Sequence, residues 1–128
     1  MTLTKQRDQC RALLRWSMRH LAINPQANLV ILGDFNEGKP VGSPDQSLAV
    51  LFQAKPPMVD TFNLLTGGIS THVDKKAYDR ILVSNAIEQG RNRLKLEMVT
   101  VQEHRHGKGE ERRLYTDHYS VMAWFRLN

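Results

Sequence analysis

Leu29-Val30-Ile31-Leu32-Gly33-Asp34-Phe35-Asn36 is the stretch on which the reading of this chain turns. A run of consecutive apolar residues is the pattern of an inner strand covered on both faces, so a strand from Leu29 to Phe35 is expected. At its end Asp34 and Asn36 stand two residues apart, and extended backbone points both side chains the same way. A carboxylate beside a carboxamide suits phosphate chemistry. The first orients or deprotonates a water, and the second donates to an oxygen that gains charge in the transition state. Gly, Asp and Asn are also common turn formers, and the tetrapeptide alone fits a turn equally well.

Upstream, Cys10, Leu13, Leu14, Met18 and Leu21 recur at helical spacing, with Arg11, Arg15 and Arg19 on other faces. The spacing predicts an amphipathic helix from about Thr4 to Ala22, stopped by Asn24-Pro25. Cys10 lies on its apolar stripe and reads as a small buried residue, not a nucleophile. Downstream, Gly38, Pro40, Gly42 and Pro44 mark a loop. Ser43-Pro44-Asp45-Gln46 then reads as a helix start, with Ser43 as cap and Gln46 completing a capping box, and the helix runs to Gln53. Lys55-Pro56-Pro57 ends it. Asp60-Thr61 caps a short helical turn through Leu65, stopped by Gly67-Gly68. Strands are expected over Ile69 to Val73, Tyr78 to Ser84, Leu94 to Val101 and Tyr119 to Arg126. In the last of these, Tyr119, Val121, Ala123 and Phe125 share one face, with Met122 and Trp124 on the other. In Leu94 to Val101 the alternation is imperfect. Trp16 and Trp124 read as packing residues. No internal repeat or linker is present.

Two further segments carry chemistry. Thr116-Asp117-His118 precedes the final strand, so both polar side chains can approach a cleft at its entrance. Asp117 is a hard oxygen ligand suited to Mg²⁺ or Mn²⁺. His118 can donate to a phosphate oxygen, and it needs a partner to fix its tautomer and hold its charge. Asp79, in Tyr78-Asp79-Arg80-Ile81-Leu82-Val83-Ser84, is the candidate partner. Thr71 and His72 precede that strand and are candidates to line the same cleft, His72 as a substrate contact. His104, Arg105, His106, Lys108, Arg112 and Arg113 form a basic loop before Asp117. That loop reads as a solvated hairpin tip offset by Glu110 and Glu111, or as a phosphate-backbone contact. His104 and His106 lack further ligands at zinc spacing.

Taken together, and in this order and spacing, Gly33-Asp34-Phe35-Asn36, Tyr78 to Ser84 and Thr116-Asp117-His118-Tyr119-Ser120-Val121 resemble the C-terminal half of the endonuclease/exonuclease/phosphatase superfamily. That superfamily includes deoxyribonucleases and apurinic endonucleases. The resemblance covers nearly all of the chain and implies a metal-dependent phosphoesterase that works by direct water attack. Asp34 would position or activate the water, Asn36 would contact the phosphate, and His118, supported by Asp79, would contact the scissile group. Asp117, with Asp34 and Asn36, would form the site of a divalent ion, Mg²⁺ or Mn²⁺. The fold implied is α+β: one mixed, largely antiparallel sheet with helices on one face, half of a four-layer α/β/β/α sandwich. The first sheet of that sandwich normally supplies a metal-binding Glu. No residue here replaces it, since Glu37 sits on the wrong element. The chain therefore reads as a single partial domain over residues 1–128, a fragment or one part of a two-chain assembly. Its uncovered sheet face is expected to take the missing half or a second copy.

Composition bounds the remaining choices. With 128 residues, the chain is one domain with room for a core. Its 18 Lys and Arg against 13 Asp and Glu give a net charge of +5, which favours polyanionic partners, nucleic acid first. Lipid and inositol phosphates share the needed chemistry. A catalytically silent binding half-domain is the reading outside enzymology. The single cysteine excludes an internal disulfide and points to a reducing, cytoplasmic compartment. The sequence has neither a signal-peptide pattern nor an apolar run long enough to span a bilayer.

Overall fold

The computed structural model describes residues 2–65, 69–103, 105–106, 113–114 and 116–128. Helix α1 spans Leu3–Ile23, one residue longer at each end than the apolar spacing predicts. Thr2 caps it by accepting from the Lys5 N–H, and Asn24 closes it, so the Asn-Pro stop acts as expected. Cys10, Ser17 and Leu21 are its buried residues, with Leu13 and Leu14 packed beside them. Met18, expected on this stripe, is half exposed, and the smaller Ser17 takes the inward position.

Strand β1 covers Val30–Asp34, β2 covers Met58–Asp60 and β3 covers Asp79–Ser84. They form an antiparallel sheet in the order β1-β3-β2. β3 is the central strand and is almost fully buried. Its side chains alternate between two cores. Leu82 joins Leu21, Ile31, Leu51, Ala54 and Met58 on the helical side. Ile81 and Val83 face Ile87 and Leu96 on the other. That second core is closed by α2 (Asn85–Gln89) and by the antiparallel pair β4 (Leu94–Gln102) and β7 (Ser120–Leu127). Short β5 (Arg105–His106) and β6 (Arg113–Leu114) make a third, two-stranded sheet.

The α+β class holds, with helices and antiparallel sheets. The single mixed sheet does not: every described pairing is antiparallel, and the strands divide into three sheets. The sheet face opposite α1 is also not bare. The β4–β7 pair packs Val121, Ala123 and Phe125 onto β3. It leaves β1 open, so Leu32 is 67% exposed.

Local differences have local causes. A bulge between Leu96 and Met98 switches the facing of β4, which buries both Leu96 and Val99 and explains the imperfect alternation. The helix expected from Ser43 begins later, as a 3-10 helix over Ser47–Gln53, because Ser43 bonds Asp45 instead of capping. Asp60 does cap the 3-10 turn Thr61–Leu64, by accepting from the Phe62 N–H. Its Gly67-Gly68 stop lies outside the described residues, as do His104, Lys108 and Arg112 of the basic loop. Residues 69–73 form no strand; there His72 makes an isolated bridge to His118. Trp124 is half exposed on the outer face of β7, so it is not the packing residue expected.

Candidate active site

The end of β1 and the start of β3 meet in register, with Asp34 directly opposite Asp79. The ladder continues one step further, where the Phe35 N–H donates to the Tyr78 carbonyl at 2.9 Å. Two carboxylates facing each other across a pair of strands repel unless a cation offsets them. His118 answers that demand. Its Nδ1 lies 2.8 Å from Asp79 Oδ2, and its Nε2 lies 4.0 Å from Asp34 Oδ2. The hydrogen bond to Asp79, reinforced by the charges of Asp79, Asp34 and Asp117, raises the His118 pKa above the ordinary imidazole range.

The segment before β7 is clipped to the loop before β3. Val73 N–H donates to the Asp117 carbonyl at 3.0 Å, and Tyr119 N–H donates to the Thr71 carbonyl at 2.7 Å. Thr71 is buried, and its hydroxyl accepts the Asp79 N–H at 3.1 Å. It thus ties the Asp79 strand to the His118 segment. His72 stands against His118 edge to face, with ring centres 4.8 Å apart. Its Nε2 is 3.4 Å from Asp117 Oδ2. Asp34, Asp79, Asp117, His118 and His72 therefore converge at one rim.

Asn36 departs from its expected posture. β1 ends at Asp34, and Asn36 adopts φ 51°, a left-handed conformation. Asp34 Oδ1 accepts the Asn36 N–H at 2.7 Å, and Gln6 of α1 donates to the Asn36 carbonyl at 2.7 Å. The tetrapeptide is therefore both an Asx turn and part of the rim. Gly33, inside β1 opposite Arg80, has φ 151°, a conformation that favours glycine. The argument that extended backbone aligns Asp34 with Asn36 does not hold here, because the chain turns between them.

The hard donors for Mg²⁺ or Mn²⁺ are Asp34, through Oδ2, and the mostly exposed Asp117. They belong to two groups that share His118: Asp34–Asp79–His118, and His72–Asp117–His118. Asp34 and Asp117 thus fall in different groups, each with His118. Asp79 is committed to His118.

Arg80 was not singled out in the sequence, yet it anchors the site. It is fully buried, forms an ion pair with Asp60, donates to Gln46 Oε1 at 3.1 Å and to the Ala77 carbonyl at 2.9 Å, and lies over the Phe62 ring. The signal was available: Arg80 shares the face of Leu82, and a charge on the inner face of a central strand must be paired. Glu37 is buried and structural, accepting the N–H groups of Lys39 and Leu48. Burial, with the nearby Glu37 charge, pushes the Cys10 thiol up to about 11, in keeping with an inert core residue.

No protein-family model, no curated protein and no solved structure matches this chain. Among the described residues, no helix is long and apolar enough to cross a membrane.

Proposed function

We propose that this chain hydrolyses phosphodiesters with a divalent metal ion, with nucleic acid as the substrate. The observation that carries the reading is the imidazole of His118 set between two cross-strand carboxylates, Asp79 at 2.8 Å and Asp34 at 4.0 Å. Asp79 favours the protonated form of His118, whose Nε2–H can donate to a phosphoryl oxygen. Asp34 lies on the other side of the same donor and accepts the proton of an attacking water. Asp34 or Asp117, each grouped with His118, would hold the metal, whose role when bound is to polarise the phosphoryl oxygen and stabilise the leaving oxygen. The nucleophile is water; no side chain forms a covalent intermediate. The net charge of +5 favours a polyanion over a small phosphomonoester.

Plasmid DNA tests this directly. Nicking is expected with Mg²⁺, is abolished by EDTA, and falls by at least about 100-fold in Asp34→Ala and in His118→Ala, the usual weight of a general acid or base. Equal cleavage by all three proteins identifies a contaminant and rejects the reading. Cleavage of an inositol phosphate or a sphingolipid in place of DNA would reassign the substrate. A second reading, a partner-dependent half-domain without activity of its own, draws on the apolar residues left exposed on β1 and on the outer face of β4–β7. It predicts retained DNA binding with no metal-dependent cleavage.

A further inference from the structure

The imidazole of His72 has no part in the hydrolytic scheme above, yet its loop is built around it. Asp74 closes around His72 Nδ1, with its Oδ1 at 3.1 Å and its backbone N–H donating to that nitrogen at 3.2 Å. The Tyr78 hydroxyl donates to the other Asp74 oxygen, and the Lys76 N–H donates to the first at 3.0 Å. On the far side of the ring, His72 Nε2 lies 3.4 Å from Asp117 Oδ2. His118 also has a carboxylate, Asp79, on Nδ1, with its Nε2 on the opposite side of the ring. For His118, the carboxylate behind Nδ1 is the usual outer support of a histidine that ligates metal through Nε2, since it fixes the tautomer and raises ligand basicity; at His72 the Asp74 segment holds the ring in place.

We infer that His72, His118 and Asp117 form a binding site for a nitrogen-preferring transition-metal ion such as Zn²⁺, separate in character from the Mg²⁺ chemistry of the hydrolytic reading. One ligand atom from each of the three lies within 4.8 Å of the others. Metal–ligand bonds of about 2.0–2.1 Å at tetrahedral angles separate ligands by roughly 3.3 Å, close to the His72–Asp117 spacing. Two imidazoles with one carboxylate suit Zn²⁺, Co²⁺ or Ni²⁺, whereas Mg²⁺ selects oxygen. The two histidines are held by backbone, not by chance packing: His72 and His118 are bridge partners. Their rings meet edge to face. Asp117 is 67% exposed, so the fourth position opens to water or substrate.

The site consumes the Nε2 lone pair of His118. A bound transition metal and a His118 that donates to phosphate exclude one another, so Zn²⁺ acts as an inhibitor of whatever the Asp34–His118–Asp79 array does. The binding itself is independent of the hydrolytic reading, and it is measured without turnover.

The test uses the full chain, stripped with EDTA and held in excess Mg²⁺. Co²⁺ is followed by its visible d–d absorption, and Zn²⁺ affinity by chelator competition. One ion per chain is expected, with affinity lowered at least about tenfold in His72→Ala and in Asp117→Asn. Asp34→Asn should stay close to wild type, which distinguishes this trio from Asp34–Asp79–His118. Should His72→Ala fail to fold by circular dichroism, Asp117→Asn decides, because its exposed side chain carries little packing. Absent d–d absorption in the wild type, unchanged affinity in the folded ligand variants, or an equal loss in Asp34→Asn would each overturn the assignment. Lack of DNA cleavage by the Zn²⁺-free protein in excess Mg²⁺ would count against the hydrolytic reading and leave this one standing on its own measurement.

Discussion

His118 sits beside two aspartates placed opposite each other by the register of β1 and β3, and they favour its charged form. Folding raises its pKa, chiefly through the Asp79 hydrogen bond. The protonated ring therefore stabilises the fold at pH below the ordinary imidazole range, and that contribution is lost as pH climbs through the raised value. In EDTA, an NMR titration of wild type should place His118 above the ordinary range, and Asp79→Asn should bring it back down. The same variant should lose thermal stability mainly on the acid side of neutrality. A His118 pKa unmoved by Asp79→Asn would contradict the arrangement. Asn36 teaches the opposite lesson. Its residue type was legible, but its orientation was not, since spacing along a strand says nothing once a left-handed residue ends it.

At the scale of elements, Arg80 decides how β3 presents Asp79. Its guanidinium joins β2 through Asp60, the loop before the first 3-10 helix through Gln46, and the strand's own approach through Ala77. Replacing it with a neutral residue strands a buried carboxylate. Arg80→Met should cost about 3–5 kcal/mol by urea unfolding, and Arg80→Met/Asp60→Asn should recover part of that loss by removing the unpaired charge. A single-variant loss below about 1 kcal/mol would refute the buried pairing. α1, β1, β3 and β7 were legible because each carries a long periodic or continuous apolar pattern. β2 and α2 were not: Met58–Asp60 and Asn85–Gln89 are too short for any period to register. The bulge in β4 left only a broken alternation as its trace.

Across the whole molecule, the sheet β1-β3-β2 lies between a helical layer and the β4–β7 pair. The expected bare face is thus half covered. The part of that face on β1 stays exposed, with Val30 and Leu32, as do Met98, Met122 and Trp124 on the outer side of β4–β7. Met98 and Trp124 are cross-strand partners, and Met122 follows on the same face. Side chains of this size left to water favour association. Light scattering over increasing concentration should give masses rising above the 14.7 kDa of one chain, and Trp124→Ser with Met98→Ser should suppress the rise. A monomer at every concentration would remove this expectation.

By itself the amino-acid order determined the α+β class, the long elements and the residue types of the rim, because local periodicity and strand ends are written within a few neighbours. It also offered Asp79 as the candidate partner of His118, since a nearby carboxylate favours the imidazolium. Only the tertiary structure decided that Asp34 faces Asp79, that His72 joins Asp117 and His118, and that Arg80 underlies them all. Those relations depend on strand register and loop closure between residues far apart in the chain, where no local pattern constrains the pairing.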